Sequence, residues 1–158
     1  MHPANGIFKR KVVLKKILII RFGALGDLCL LAWSLSRFAQ SPEATQYQVT
    51  LVTKAAFAPL MENVHGIDKV VALPAGGISQ LNQLASQLRG HKYDVIVDAH
   101  HVLRSHLLLA LMNRIPSSRL RKHTTARLAL LGLRRGHSKL NMTMSQRFDA
   151  LFTPLVAN

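Results

Sequence analysis

Residues Lys16 to Arg21 read KILIIR, a continuous β-branched run without polar alternation. Such a run fits a strand covered on both faces, as inside a parallel sheet. A glycine turn follows, then Leu28 to Gln40 (LCLLAWSLSRFAQ), too long for a typical strand and closed by Ser41 and Pro42. That segment is predicted as a helix lying on the sheet. The pattern recurs: Gln48 to Thr53 is predicted as a second strand, Ala55 to Asn63 as a short helix, and Lys69 to Leu73 as a third strand. The third strand ends at Pro74 and a Gly76-Gly77 turn. Ile78, Leu81, Leu84, Ala85 and Leu88 then fall at helical spacing before Gly90. Tyr93 to Asp98 (YDVIVD) is the fourth strand and Val102 to Met112 the helix after it. Further on, Ser117 to Lys122 reads as a short strand, Thr124 to Leu133 as a helix, Arg134 to Lys139 as a basic loop and Ser145 to Leu155 as a last amphipathic helix.

This alternation predicts an α/β fold with a doubly wound, mostly parallel, Rossmann-like sheet over residues 16–155, preceded by a basic arm over 1–15. With 158 residues, 49% of them hydrophobic, the chain can bury one core, which excludes a disordered or fibrous chain. Ligands of such sheets lie at the carboxyl ends of the strands, so Phe22 to Asp27, Thr53 to Lys54, Leu73 to Gly77 and Asp98 to Ser105 are the informative stretches.

Charge narrows the partner. Twenty-one Lys and Arg against seven Asp and Glu give a formal charge of +14, which points to nucleic acid, phospholipid or a phosphorylated sugar. No acid lies between Asp98 and Asp149, where ten of the basic residues fall. The single cysteine, Cys29, excludes an internal disulfide and is expected to be a small buried hydrophobe. Ile17 to Ile20 is too short for a signal-peptide core, and the apolar run Leu107 to Met112 is too short to span a bilayer.

The first turn, Arg21-Phe22-Gly23-Ala24-Leu25-Gly26-Asp27, combines two glycines with an acid at a helix start. Its free N–H groups suit a phosphate or carboxylate, while Asp27 reads either as a cap of helix 28–40 or as a functional acid. A dinucleotide site needs GxGxxG and a later acid, and a P-loop needs GxxxxGK[ST]; the chain has neither. After the fourth strand, Asp98-Ala99-His100-His101-Val102-Leu103-Arg104-Ser105-His106 gathers polar side chains. Without HxxxH or HExxH this group does not read as a metal site; Arg104, Ser105 and a histidine fit an anion or hydroxyls. No GxSxG elbow supports a hydrolase, and nothing resembles an RNP motif. Trp33 is expected in the core.

KILIIRFGALGDLCLL, VTLVTKAAFAPLMENVHGIDKVVALP and YDVIVDAHHVLRSHLLLALM, in this order and spacing, resemble the N-terminal half of family 9 glycosyltransferases, the lipopolysaccharide heptosyltransferases. The resemblance covers about Lys16 to Leu155. It implies the acceptor-binding domain of a GT-B enzyme, with inverting transfer of heptose from ADP-heptose to Kdo or heptose of a lipid-A-linked core. No cofactor and no metal are implied, and the setting is the cytoplasmic face of the inner membrane. Asp27 corresponds to the proposed general base. Gly23, Ala24 and Gly26 would let substrate approach the backbone, while Asp98, His100, His101, Arg104 and Ser105 would bind substrate, Arg104 and Ser105 facing the acidic acceptor. The basic segment from Arg114 to Lys139 would face the acceptor and its membrane.

Two positions depart from the family pattern. His100-His101 stands where Gln-Gly is common, and Thr143 stands where a histidine precedes the Arg147-Phe148 pair. Family members are about twice as long, so the C-terminal donor domain is expected to be missing and the chain alone to have little turnover, as a truncated product or one half of a split enzyme. The alternative from charge alone is a non-catalytic basic α/β module binding nucleic acid or an anionic membrane surface.

Overall fold

The computed structural model describes residues 14–119 and 143–156. Most of the basic arm, the helix expected over 124–133 and the basic loop over 134–139 lie outside the described residues, as does the end of the fifth strand. Strands β1 (Lys15–Ile20), β2 (Tyr47–Lys54), β3 (Lys69–Leu73), β4 (Val95–Asp98) and β5 (Ser118–Arg119) form one sheet in the order β3-β2-β1-β4-β5. Every pairing is parallel. Lys15, expected in the arm, already pairs with Tyr47.

Residues 17–20 are all buried because both faces of β1 are covered. On one face Ile17 and Ile19 pack with Leu28, Leu31, Leu35 and Phe38 of helix α1 (Leu25–Phe38) and Phe148, Leu151 and Phe152 of helix α5 (Met144–Val156). On the other, Leu18 and Ile20 pack with Leu81, Leu84, Ala85 and Leu88 of α3 (Ile78–Arg89) and Leu108 and Leu109 of α4 (Leu103–Leu111). Alternate residues of one strand thus seed two separate core layers. The helix expected over 55–63 is a 3₁₀ turn, Ala55–Phe57, followed by the single-turn α2 (Ala58–Met61).

Four expectations need correction. Helix α1 begins at Leu25, three residues before its predicted start, so Asp27 lies inside the first turn and makes no side-chain capping bond. The apolar side chains at 28, 31, 35 and 38 set the buried face, which turns Cys29 and Trp33 outward. Both were expected inside; Trp33 is 64% exposed. Strand β4 begins at Val95 because Asp94 is used otherwise: its carboxylate accepts the Lys16 N–H at 2.7 Å.

Candidate functional site

In this strand order the chain leaves β1 toward β2 on one side and β4 lies on the other. The carboxyl ends of β1 and β4 therefore flank the switch point where open α/β sheets hold ligands. Two connections meet there, 21–24 after β1 and 99–102 after β4.

The first is organised by a buried cation. Arg21 is 4% exposed, and its Nη1 donates to the Ala99 carbonyl at 2.6 Å while Nη2 donates to Asp27 Oδ2 in an ion pair. The guanidinium lies over the Phe148 ring of α5, 5.6 Å from its centroid. Burial pushes the Arg21 guanidinium below its ordinary value, and the Asp27 and Asp98 carboxylates pull it back. Starting so far above neutrality, it stays protonated. Asp27 keeps about a third of its side chain exposed, and its Oδ1 has no hydrogen-bond partner among the described residues. One carboxylate oxygen is thus fixed from beneath and the other faces outward.

Around this acid the backbone is buried at Gly23 and open at Ala24 and Gly26. Gly23 has φ +155°, and a Cβ there would lie 3.1 Å from the Phe57 ring, so glycine is needed for both conformation and space. Ala24 is the exposed N-cap of α1 and accepts the Leu28 N–H at 3.0 Å. Gly26 is exposed, and a Cβ there would meet nothing within 4 Å. An approaching molecule thus finds free volume beside Asp27 and the first N–H groups of α1.

The second connection is held from inside. Asp98 is fully buried; its Oδ1 accepts the N–H groups of His100 at 3.1 Å and His101 at 2.7 Å, and its Oδ2 accepts the Ser105 hydroxyl at 3.0 Å. Ser105 Oγ in turn accepts the Val102 N–H at 3.1 Å. Asp98 and Ser105 were expected to touch substrate. Both are fully buried here, and their polar atoms fix the loop from inside. The loop includes His101 at φ +51°, and its ring lies 4.9 Å from that of His106, whose Nε2 is 3.6 Å from Asp98 Oδ2. His100 packs edge-on against Phe22 at 5.5 Å. Arg104 reaches toward β3, its Nη2 donating to the Gly76 carbonyl at 2.8 Å. Among the described residues no group of three His, Cys, Asp or Glu has a metal-holding arrangement.

The structure thus brings Asp27, Gly23, Ala24 and Gly26 together in one turn and ties that turn to the β4 loop through Arg21 and Ala99. Sequence reasoning gave no role to Arg21 or Phe148. The available signal was a cation ending a strand predicted to be buried, a position that demands a counter-charge. Thr143, which departs from the family pattern, is the N-terminal partner of a reciprocal cap on α5: its N–H donates to Gln146 Oε1 at 2.8 Å and its Oγ1 accepts the Gln146 N–H at 3.3 Å.

Solved structures with this architecture include the glycosyl transferase family 9 protein from Veillonella parvula, at TM-score 0.66 and 16% identity over 91% of this chain. The chain shares the fold of family 9 glycosyltransferases. The family 9 fold also appears in E. coli ADP-heptose lps heptosyltransferase II (TM-score 0.56, 20% identity, 86% of this chain). A third case is the E. coli heptosyltransferase WaaC with ADP (0.59, 17%, 89% of this chain). The chain spans 42%, 39% and 47% of the lengths of these three proteins. No protein-family profile and no curated protein matches it. The resemblance carried by the three sequence blocks therefore holds in the fold.

Proposed function

We propose that this chain is the acceptor-binding part of an inverting glycosyltransferase that moves heptose from ADP-heptose to a Kdo or heptose hydroxyl of a lipid-A-linked core. The observation that supports the reading best is Asp27, anchored by Arg21 through one carboxylate oxygen and open to solvent at the other, at the switch point of the sheet. In the proposed step the acceptor oxygen attacks the anomeric carbon. The bond from that carbon to the ADP oxygen breaks, its electron pair leaves with ADP, and the hydroxyl proton passes to Asp27. Asp27 holds the proton at its outward oxygen while Arg21 keeps the carboxyl group from rotating. Arg104 pairs with the carboxylate or phosphate of the acceptor. The first N–H groups of α1, beside Gly26, face donor phosphate, and the nucleotide itself is presented by a separate donor domain. No cofactor or metal enters this scheme, and the work is done at the cytoplasmic face of the inner membrane.

The test is a calorimetric titration with a soluble Kdo-containing inner-core acceptor. Saturable binding is expected, weakened about tenfold by Arg104→Ala and retained by Asp27→Asn, because the base acts on a proton in the transition state rather than on affinity. Absence of acceptor binding, together with duplex DNA binding that falls steeply with salt, would replace this reading with a nucleic-acid module.

A further inference from the structure

Helix α5 carries a second buried arginine. Two contacts fix the direction of this helix. The Phe148 ring lies beneath the Arg21 guanidinium at the carboxyl end of β1, and the Leu155 carbonyl accepts the Tyr47 hydroxyl at the amino end of β2. The helix therefore runs against the strands and brings its first turn to the carboxyl edge. Arg147 closes that turn, its N–H donating to the Thr143 carbonyl at 3.1 Å, and the residue is 9% exposed. Its Nη1 lies 3.8 Å from Met144 Sδ, so the guanidinium points back toward the helix start. Nε is enclosed without a hydrogen-bond partner, and Nη2 has none among the described residues. No acid stands in the first turn of α5, and Arg147 forms no ion pair among the described residues.

A buried cation without a counter-charge costs free energy, and the positive end of a helix repels it further. Arg21 gives the contrast: buried in the same layer, it is matched by Asp27 and by the Ala99 carbonyl. The Nε and Nη2 groups of an arginine form a planar fork of two donors that fits two oxygens of a phosphate or a carboxylate. In Arg147 that fork is the edge left free. The N–H groups of Met144 and Ser145 also have no acceptor among the described residues. We infer that Arg147 and the first turn of α5 form an oxyanion subsite, which takes a phosphoryl or carboxylate group of the substrate held at the carboxyl edge. This deepens the proposed function and rests on it for the identity of the substrate, not for the existence of the site. The donor diphosphate and the acid sugar of the acceptor are the two groups of that chemistry in the proposed reaction.

The test uses simple anions, so its failure is separate from failure of the transferase reading. The full 158-residue chain is titrated calorimetrically with pyrophosphate and with free Kdo at fixed ionic strength, while NMR follows the Arg147 Nε–H resonance. Saturable binding of at least one anion is expected, with a shift of that resonance. Pyrophosphate alone would assign the subsite to a phosphoryl group, and Kdo alone to a carboxylate. Arg147→Gln should weaken binding about tenfold. Arg147→Lys, which keeps the charge and loses the fork, should weaken it about fivefold. Arg89→Gln removes an exposed cation from the last turn of α3 and should leave binding unchanged. The inference is overturned if neither anion binds, if Arg147→Gln binds as the parent does, or if Arg89→Gln weakens binding equally. Where a variant folds poorly the parent resonance decides: an Nε–H signal unmoved by either anion overturns the inference.

Discussion

At both ends of the sheet a carboxylate accepts backbone N–H groups, but to different effect. At the amino edge Asp68 takes the Val49 N–H at 2.6 Å and Asp94 takes the Lys16 N–H at 2.7 Å, and both residues are exposed. Each joins the start of one strand to its neighbour and so helps fix register. At the carboxyl edge Asp98 takes two N–H groups and a hydroxyl while wholly buried, and so fixes a loop. The amino edge also has the larger concavity, lined by Glu62, Asp68, Tyr47 and their neighbours, about 660 Å³ against 300 Å³ for the groove between α3 and α4 at the carboxyl edge. The proposed function places the site at the carboxyl edge because a held acid, the open turn at Gly26 and the half-buried Arg104 lie there, at the position topology favours.

The largest expected effect separates these two uses of aspartate. Asp98→Ala leaves two N–H groups and a hydroxyl without their buried acceptor, and urea denaturation should show a loss of about 3 kcal/mol together with loss of acceptor binding. Asp68→Ala, at an exposed site, should cost about 1 kcal/mol and leave acceptor binding unchanged. Equal costs would erase the distinction between the edges.

A glycine pair sharpens it further. Gly66 has φ +91°, and a Cβ there would sit 2.7 Å from the Leu35 carbonyl oxygen, so Gly66→Ala should destabilise by about 2 kcal/mol while folded protein still binds acceptor. Gly26→Ala should do the reverse, because its methyl enters open space in a helical turn. Thermal unfolding should show stability unchanged or raised by about 0.5 kcal/mol, and calorimetry should show weaker acceptor binding.

The smallest effect is one of pH. Burial pushes the Tyr93 phenol up, opposed in part by a hydrogen bond with Thr50. The unfolded chain therefore releases this proton first, at about pH 10. Stability from this group is complete below that pH and declines as pH rises through the folded value. Urea midpoints measured from pH 9 to 11 should fall less steeply for Tyr93→Phe than for the parent.

The first strand was legible because a strand buried on both faces leaves a continuous apolar run, which KILIIR displays over Ile17 to Ile20; in YDVIVD only Val95 to Val97 do so. The register of α1 was not. Its segment LCLLAWSLSRF is apolar around nearly its whole circumference, so period alone does not say that 28, 31, 35 and 38 face inward and 29 and 33 outward. The helix start was hidden by Gly26, which sits in the first turn without unusual backbone angles and so gave a false stop signal. At the site, residue types marked Asp27 and the polar cluster after β4, but burial sorted them. Asp98 and Ser105 went inward, Arg104 stayed at the surface, and Arg21 emerged as the anchor because its partners, Ala99 and Phe148, are distant in sequence.

That distance bears on how the chain is made. The α3–α4 layer of the core draws on residues up to Met112, whereas the α1 layer also needs Phe148, Leu151 and Phe152. Its ties run from Arg37 to Asp149 and from the Tyr47 hydroxyl to the Leu155 carbonyl. During synthesis the first layer can close while the outer face of β1 and β2 still waits for a helix not yet out of the ribosome. The nascent chain therefore carries a temporary apolar face until α5 is made, and the wall behind Arg21 is the last part of this core layer to arrive.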